Sequence, residues 1–293
     1  MQGTEKTYKG ILVFLTLTFV LSSIFYFFII SAGRIRSAGN LYIIGLMQCP
    51  GVAALLTCGI LKRNISSLGW RWGSTKYQLL SYFIPLIYTS LTYAIVWTLG
   101  LGAFGDYHSF VEGIATSFGI EGMPSGLVIV LYVTIGMLGW SCSVVVGEEI
   151  GWRGFLVPEL VKTTTFTKTA LISGVIWSVW HYPIILFADY NNGTPWWYGL
   201  PCFTVMTVGL SFVYAWLRLK SGSLWTCMFL CASHNLFIQN VFDPLTWDTG
   251  VTKYVIGEFG LALAISSVVV ALIFWRKRSL LPVPISNSTL SIS

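Results

Sequence analysis

Between Gly10 and Trp275 the sequence returns eight times to an apolar run of the roughly 20 residues a helix needs to cross about 30 Å of hydrocarbon. The runs lie near residues 10–32, 40–61, 77–100, 124–146, 168–190, 198–218, 223–242 and 253–275. In lipid a backbone must satisfy its own N–H and C=O groups, so runs of this length dictate helices rather than an open sheet. Composition agrees: of 293 residues, 55% are hydrophobic and 10% charged, against about 25% charged in a soluble domain. The expected fold is all-α, a polytopic transmembrane helix bundle of about eight spans. Residues 1–280 read as a single transmembrane domain, and the proline-containing tail 281–293 reads as disordered. The first run is longer than the 7–15 apolar residues of a signal-peptide core, so it is expected to stay as a helix.

The seventeen Lys and Arg residues set a direction. With the N-terminus in the cytoplasm, fourteen of them fall on the cytoplasmic side and only Arg34, Arg36 and Lys253 on the other. This is the positive-inside pattern, and it puts both termini in the cytoplasm. The net charge of +6 is thus spread between spans to serve orientation, and no nucleic-acid partner is expected. Partners are the lipid bilayer and a membrane-associated substrate. The membrane is the plasma membrane in a prokaryote or the endoplasmic reticulum in a eukaryote. All six cysteines lie inside apolar segments rather than in the loops of a disulfide framework, and all but Cys231 read as small packing residues.

Charge inside such spans costs roughly 2.5–3.5 kcal/mol per residue near the bilayer centre, so it marks function by default. Three polar clusters stand out. The stretch GEEIGWRGFL, residues 147–156, closes the fourth run with Glu148, Glu149 and Arg153. His181 lies within the fifth run and His234 within the seventh, followed directly by Asn235. Glu149 and Arg153 are i and i+4, neighbours on one helix face that can pair. Glu148 lies about 100° round from Glu149 and is free to point into a cavity. Taken singly, each cluster has a bland reading: a wetted helix end for the glutamates, a packing hydrogen bond for either histidine. Together, at similar depth on three helices, they are most cheaply satisfied by mutual contact around water or a metal. Pro158 marks a helix end or kink.

The ordered stretches Glu148-Glu149-x-x-x-Arg153, Trp177-x-x-x-His181 and Cys231-Ala-Ser-His234-Asn235 resemble the three motifs of the CAAX prenyl protease 2 and bacteriocin-processing (CPBP, or Abi) family of intramembrane proteases. The resemblance covers about residues 124–245. It implies a helical core with a polar chamber open toward the cytoplasm, in which Glu148 activates a water for peptide-bond hydrolysis. It also implies catalytic work for Glu149, Arg153, His181, His234 and Asn235. Two positions depart from the pattern: Trp177 stands where the family has phenylalanine, and Cys231 where it has histidine. Zinc is a candidate cofactor, with ligands drawn from Glu148, His181, His234 or Cys231; a metal-free glutamate–histidine site fits these residues equally well.

The function expected is an intramembrane endopeptidase that cuts near the C-terminus of membrane-associated proteins or peptides, prenylated or not. The alternatives are a catalytically silent member acting as a binding or bacteriocin-immunity protein, favoured by Cys231, and a proton-coupled transporter using the same carboxylates. The catalytic reading requires Glu148, His181 and Asn235 to face one cavity.

Overall fold

The computed structural model describes residues 2–282; most of the polar tail lies outside the described residues. Long helices answer the apolar runs: α1 (Gln2–Ser31), α2 (Asn40–Ile60), α3 (Thr75–Thr98), α5 (Ser125–Ser143), α8 (Phe166–Phe187) and α9 (Trp196–Ser221), then α10 (Trp225–Asn235) and α11 (Leu261–Arg276). Between α3 and α5 lies α4 (Tyr107–Phe118), and after α5 come the short helices α6 (Val146–Glu149) and α7 (Val157–Val161). Five of them (α1, α2, α3, α8 and α9) are long and apolar enough to cross a membrane by length and composition. The chain is an all-α, multi-pass integral membrane protein. Among the described residues the only sheet is a two-residue antiparallel pair, Ala103–Phe104 with Thr246–Trp247.

Three spans differ from expectation. The fourth breaks at Val144–Val145 and restarts as α6, which runs into a π-helix, Ile150–Leu156, and then α7. Pro158 falls just past that π-helix; with no N–H of its own it cannot continue the i→i−4 ladder. The seventh span is α10 continued by a second π-helix, Leu236–Phe242. The eighth begins not at residue 253 but at Leu261, because Gly257 has φ +71°, a left-handed conformation that ends regular helix.

Two ends of the bundle can be told apart by contacts alone. At one end the start of α1 meets the α2–α3 link, where the Arg63 guanidinium donates to the Lys6 carbonyl and pairs with Glu159 at 2.9 Å. There too the Trp216 indole donates to the Lys277 carbonyl. At the other end the α1–α2 link binds the end of α8 through Ile35 N–H to the Ala188 carbonyl, 2.8 Å. Arg153 and Arg218, two of the fourteen basic residues assigned to the cytoplasmic side, are both buried. Arg218 donates through Nε to the Arg153 carbonyl (2.9 Å) and through Nη2 to the Leu68 carbonyl (3.2 Å), satisfying carbonyls that the π-helix and its neighbour leave open. The remaining twelve basic residues keep the asymmetry.

Candidate active site

Glycine brings the first site segment close to α2. A Cβ on Gly147 would stand 2.4 Å from the Gln48 Cα, and one on Gly151 would stand 2.4 Å from the Pro50 Cβ. With Gly51 packed against the Gly147 backbone in the same way, α2 and α6 touch main chain to main chain. This crossing presses Glu148 and Glu149 into the bundle, and both are buried.

The two glutamates then part. Glu149 turns away from open space and pairs with Arg153, whose Nη1 donates to Oε1 at 2.8 Å. The guanidinium lies between two rings, 4.1 Å from the centre of Trp177 and 3.8 Å from that of Tyr214. A buried ion pair without such packing and hydrogen bonding would not offset its desolvation. Glu148 instead faces a chamber of about 370 Å³ and accepts a hydrogen bond from the Trp177 indole N–H, 2.9 Å to Oε2. Phenylalanine at position 177 could not make this bond.

His181 shares the chamber, one turn beyond Trp177. Its Nδ1 lies 2.9 Å from the Trp177 carbonyl. A carbonyl only accepts, so Nδ1 carries the proton and Nε2 of the neutral ring keeps its lone pair. Trp180, Phe203 and Tyr190 surround the ring and fix its plane. From α10 the chamber receives Cys231, His234 and Asn235. Cys231 stands beside Glu149 and Tyr214 at the position of the motif histidine. His234 is held at Nδ1 by the Tyr88 hydroxyl, while its Nε2 faces Glu258 Oε1 at 3.6 Å without a hydrogen bond.

The chamber thus gathers Glu148, His181, Cys231, His234 and Asn235 from three helical segments, while Glu149 and Arg153 form a buried brace behind it. The sequence reading missed Glu258, which the Tyr190 hydroxyl also binds, 2.8 Å to Oε2. Its signal was present: a lone glutamate within an apolar run. Among the described residues no three His, Cys, Asp or Glu side chains are placed to share a metal ion. The expected zinc ligands are therefore not drawn into one donor set.

The chamber is one-sided. Beneath Glu148, every residue of Ile150–Leu156 is buried, with Trp152 edge-on to Phe14 and Trp180. In the other direction the lining runs through Met47 and Ile43 to Asn40 and Ile35, and through Gln239 to Glu258 and Tyr190. Its exposed members, Asn40 and Ile44, belong to the first turns of α2. The chamber thus opens toward the end of the bundle that carries the α1–α2 link, away from Lys6 and Lys277.

Residues 131–237 match the family model described as Type II CAAX prenyl endopeptidase Rce1-like. The segment takes in all three motifs. A relative, CAAX prenyl protease 2 of Methanococcus maripaludis, is 31% identical over 81 residues, 25% of this chain. The match spans 28% of that relative's length. The family recognised from the motifs is thus the one the comparisons return.

Proposed function

We propose that this chain is an intramembrane endopeptidase that hydrolyses a peptide bond of a membrane-associated protein or peptide, with Glu148 activating the water. The observation that carries the reading is the convergence of Glu148, His181 and Asn235 on one largely apolar chamber. The Glu148 carboxylate, oriented by Trp177, takes a proton from water. His181 Nε2 accepts the second water hydrogen and aims the oxygen at the scissile carbonyl. The Asn235 amide donates to the oxyanion as the carbon becomes tetrahedral; a donor fixed in a dry site is worth far more there than in water. The C–N bond then breaks, and the leaving amine takes the proton from Glu148. Glu149 and Arg153 hold the segment that carries the base, and His234, bonded to Tyr88 and facing Glu258, holds the α10 wall. No step runs through a metal.

A second reading, a catalytically silent binding or immunity protein, draws on Cys231, a thiol in the chamber wall where the family has imidazole. Cleavage of membrane peptides by purified native protein, Glu148→Gln and Cys231→His separates the two. The endopeptidase reading expects native cleavage that Glu148→Gln abolishes. A silent native protein that Cys231→His awakens supports the second.

A further inference from the structure

The sidedness of the chamber, set against the distribution of charge, bears on the substrate. The start of α1, the end of α11 and twelve exposed or half-buried Lys and Arg gather at one end of the bundle, Arg63 with Lys6 and Lys220 with Leu280 among their contacts. At the opposite end the basic residues are Arg34, Arg36 and Lys253, accompanied by Asp106, Asp189 and Asp248. Arg34 is further offset by Asp189 at 3.4 Å. Basic loops stay in the cytoplasm, so this second end is the non-cytoplasmic one. It is also the end toward which the chamber opens. The floor on the cytoplasmic side is the buried π-helix, reinforced by the Arg153 stack and by Arg218, whose Nη2 donates to Leu68.

Depth supports the same assignment. Glu148 lies against Gln48 and Pro50 through the Gly147–Gly151 crossing, roughly 12–15 Å from the outer end of α2 at 1.5 Å per residue. His181 is fifteen residues from the start of α8, about 22 Å from the cytoplasmic end by the same rise. The reacting groups therefore sit from mid-membrane outward, and the route to them runs past Met47, Ile43 and Asn40.

We propose that the chamber takes its substrate from the non-cytoplasmic side: a peptide segment lying just outside an apolar anchor, in the outer half of the membrane or the water beyond. This rests on the endopeptidase reading and narrows it. A lipid-modified C-terminus of a cytosolic protein at a plasma membrane lies on the wrong side of the floor. The outer portion of a membrane-anchored or exported peptide lies on the right one.

Single-cysteine accessibility in intact cells tests the sidedness without requiring catalysis. The variants are Ser37→Cys on the α1–α2 link, Gln239→Cys in the chamber wall and Lys62→Cys at the basic end, with the native chain as blank. A small membrane-impermeant thiol reagent should modify Ser37→Cys and Gln239→Cys in intact cells, and Lys62→Cys only after permeabilisation. Ser37→Cys and Lys62→Cys are exposed positions that report orientation even if Gln239→Cys fails to fold. Modification of Lys62→Cys in intact cells with Ser37→Cys protected overturns the proposal. So does a Gln239→Cys that reacts only from the side of Lys62. Because labelling needs no cleavage, a reversed pattern beside Glu148-dependent proteolysis would reject the sidedness and leave the protease. The expected pattern beside a Glu148→Gln that still cleaves would do the reverse.

Discussion

The indole N–H of Trp177 donates to Glu148 Oε2 at 2.9 Å, tying the second motif of the site to the first. The same residue supplies the carbonyl that His181 Nδ1 binds and the ring on which Arg153 stacks. One residue thus contacts Glu148, His181 and the Arg153 brace at once.

Trp177→Phe keeps the ring and removes the donor. A hydrogen bond to a charged group contributes about 1.5–3 kcal/mol, which corresponds to roughly 10- to 150-fold in rate if the bond is needed only in the transition state. We expect kcat to fall within that range with KM little changed. Steady-state kinetics on a cleaved peptide checks this; an unchanged kcat would show that the indole is packing only.

The main-chain contact at Gly147 predicts a stability effect. Gly147→Ala forces a methyl to within 2.4 Å of the Gln48 Cα, whereas Gly154→Ala meets nothing closer than the Leu68 carbonyl at 3.4 Å. Overpacking of this kind costs about 1–3 kcal/mol. Thermal unfolding in detergent should show Gly147→Ala well below the native protein and Gly154→Ala near it.

Breaking one side of the Glu149–Arg153 pair strands a charge with no solvent. Arg153→Met alone should destabilise by about 3–5 kcal/mol, while Glu149→Gln with Arg153→Met should recover part of the loss. A double-mutant cycle on denaturant midpoints measures the difference. Strictly additive effects would mean that the pair is not coupled.

Glu258 faces His234 at 3.6 Å, and if His234 holds the α10 wall of the proposed site, the contribution of Glu258 should respond to geometry as well as charge. Glu258→Gln is expected to lower kcat several-fold while the protein stays folded, with Glu258→Asp intermediate. If both variants lose only thermal stability and keep kcat, Glu258 serves the packing of the outer end alone.

What the sequence showed and what it hid divide along the range of the interactions. The helices follow from runs of apolar residues, and the Glu149–Arg153 pair follows from i,i+4 spacing; both are local. Glu258 was visible as a lone glutamate in an apolar run, but not as part of the site, because the helix expected over it gives way at Gly257 and its neighbours His234 and Tyr190 come from distant parts of the chain. Arg153 and Arg218 were counted with the cytoplasmic charges, and their burial was not visible for a related reason. Their burial depends on Tyr214, Trp177 and the Leu68 carbonyl, none of which is near in sequence to both. The side on which the chamber opens needed the π-helix floor, and no periodicity announces a π-helix. Trp177 was legible only as an aromatic; its role as a donor required the carboxylate to be seen beside it.

The most direct test of the central claim compares peptide-bond cleavage by the native protein and by Glu148→Gln at equal folded concentration, on membrane-anchored peptides in reconstituted vesicles. The account predicts cleavage by the native protein and a loss of at least 100-fold in Glu148→Gln, since removing a positioned general base forfeits roughly 10²–10⁴ in rate. Cleavage by Glu148→Gln at the native rate would contradict it.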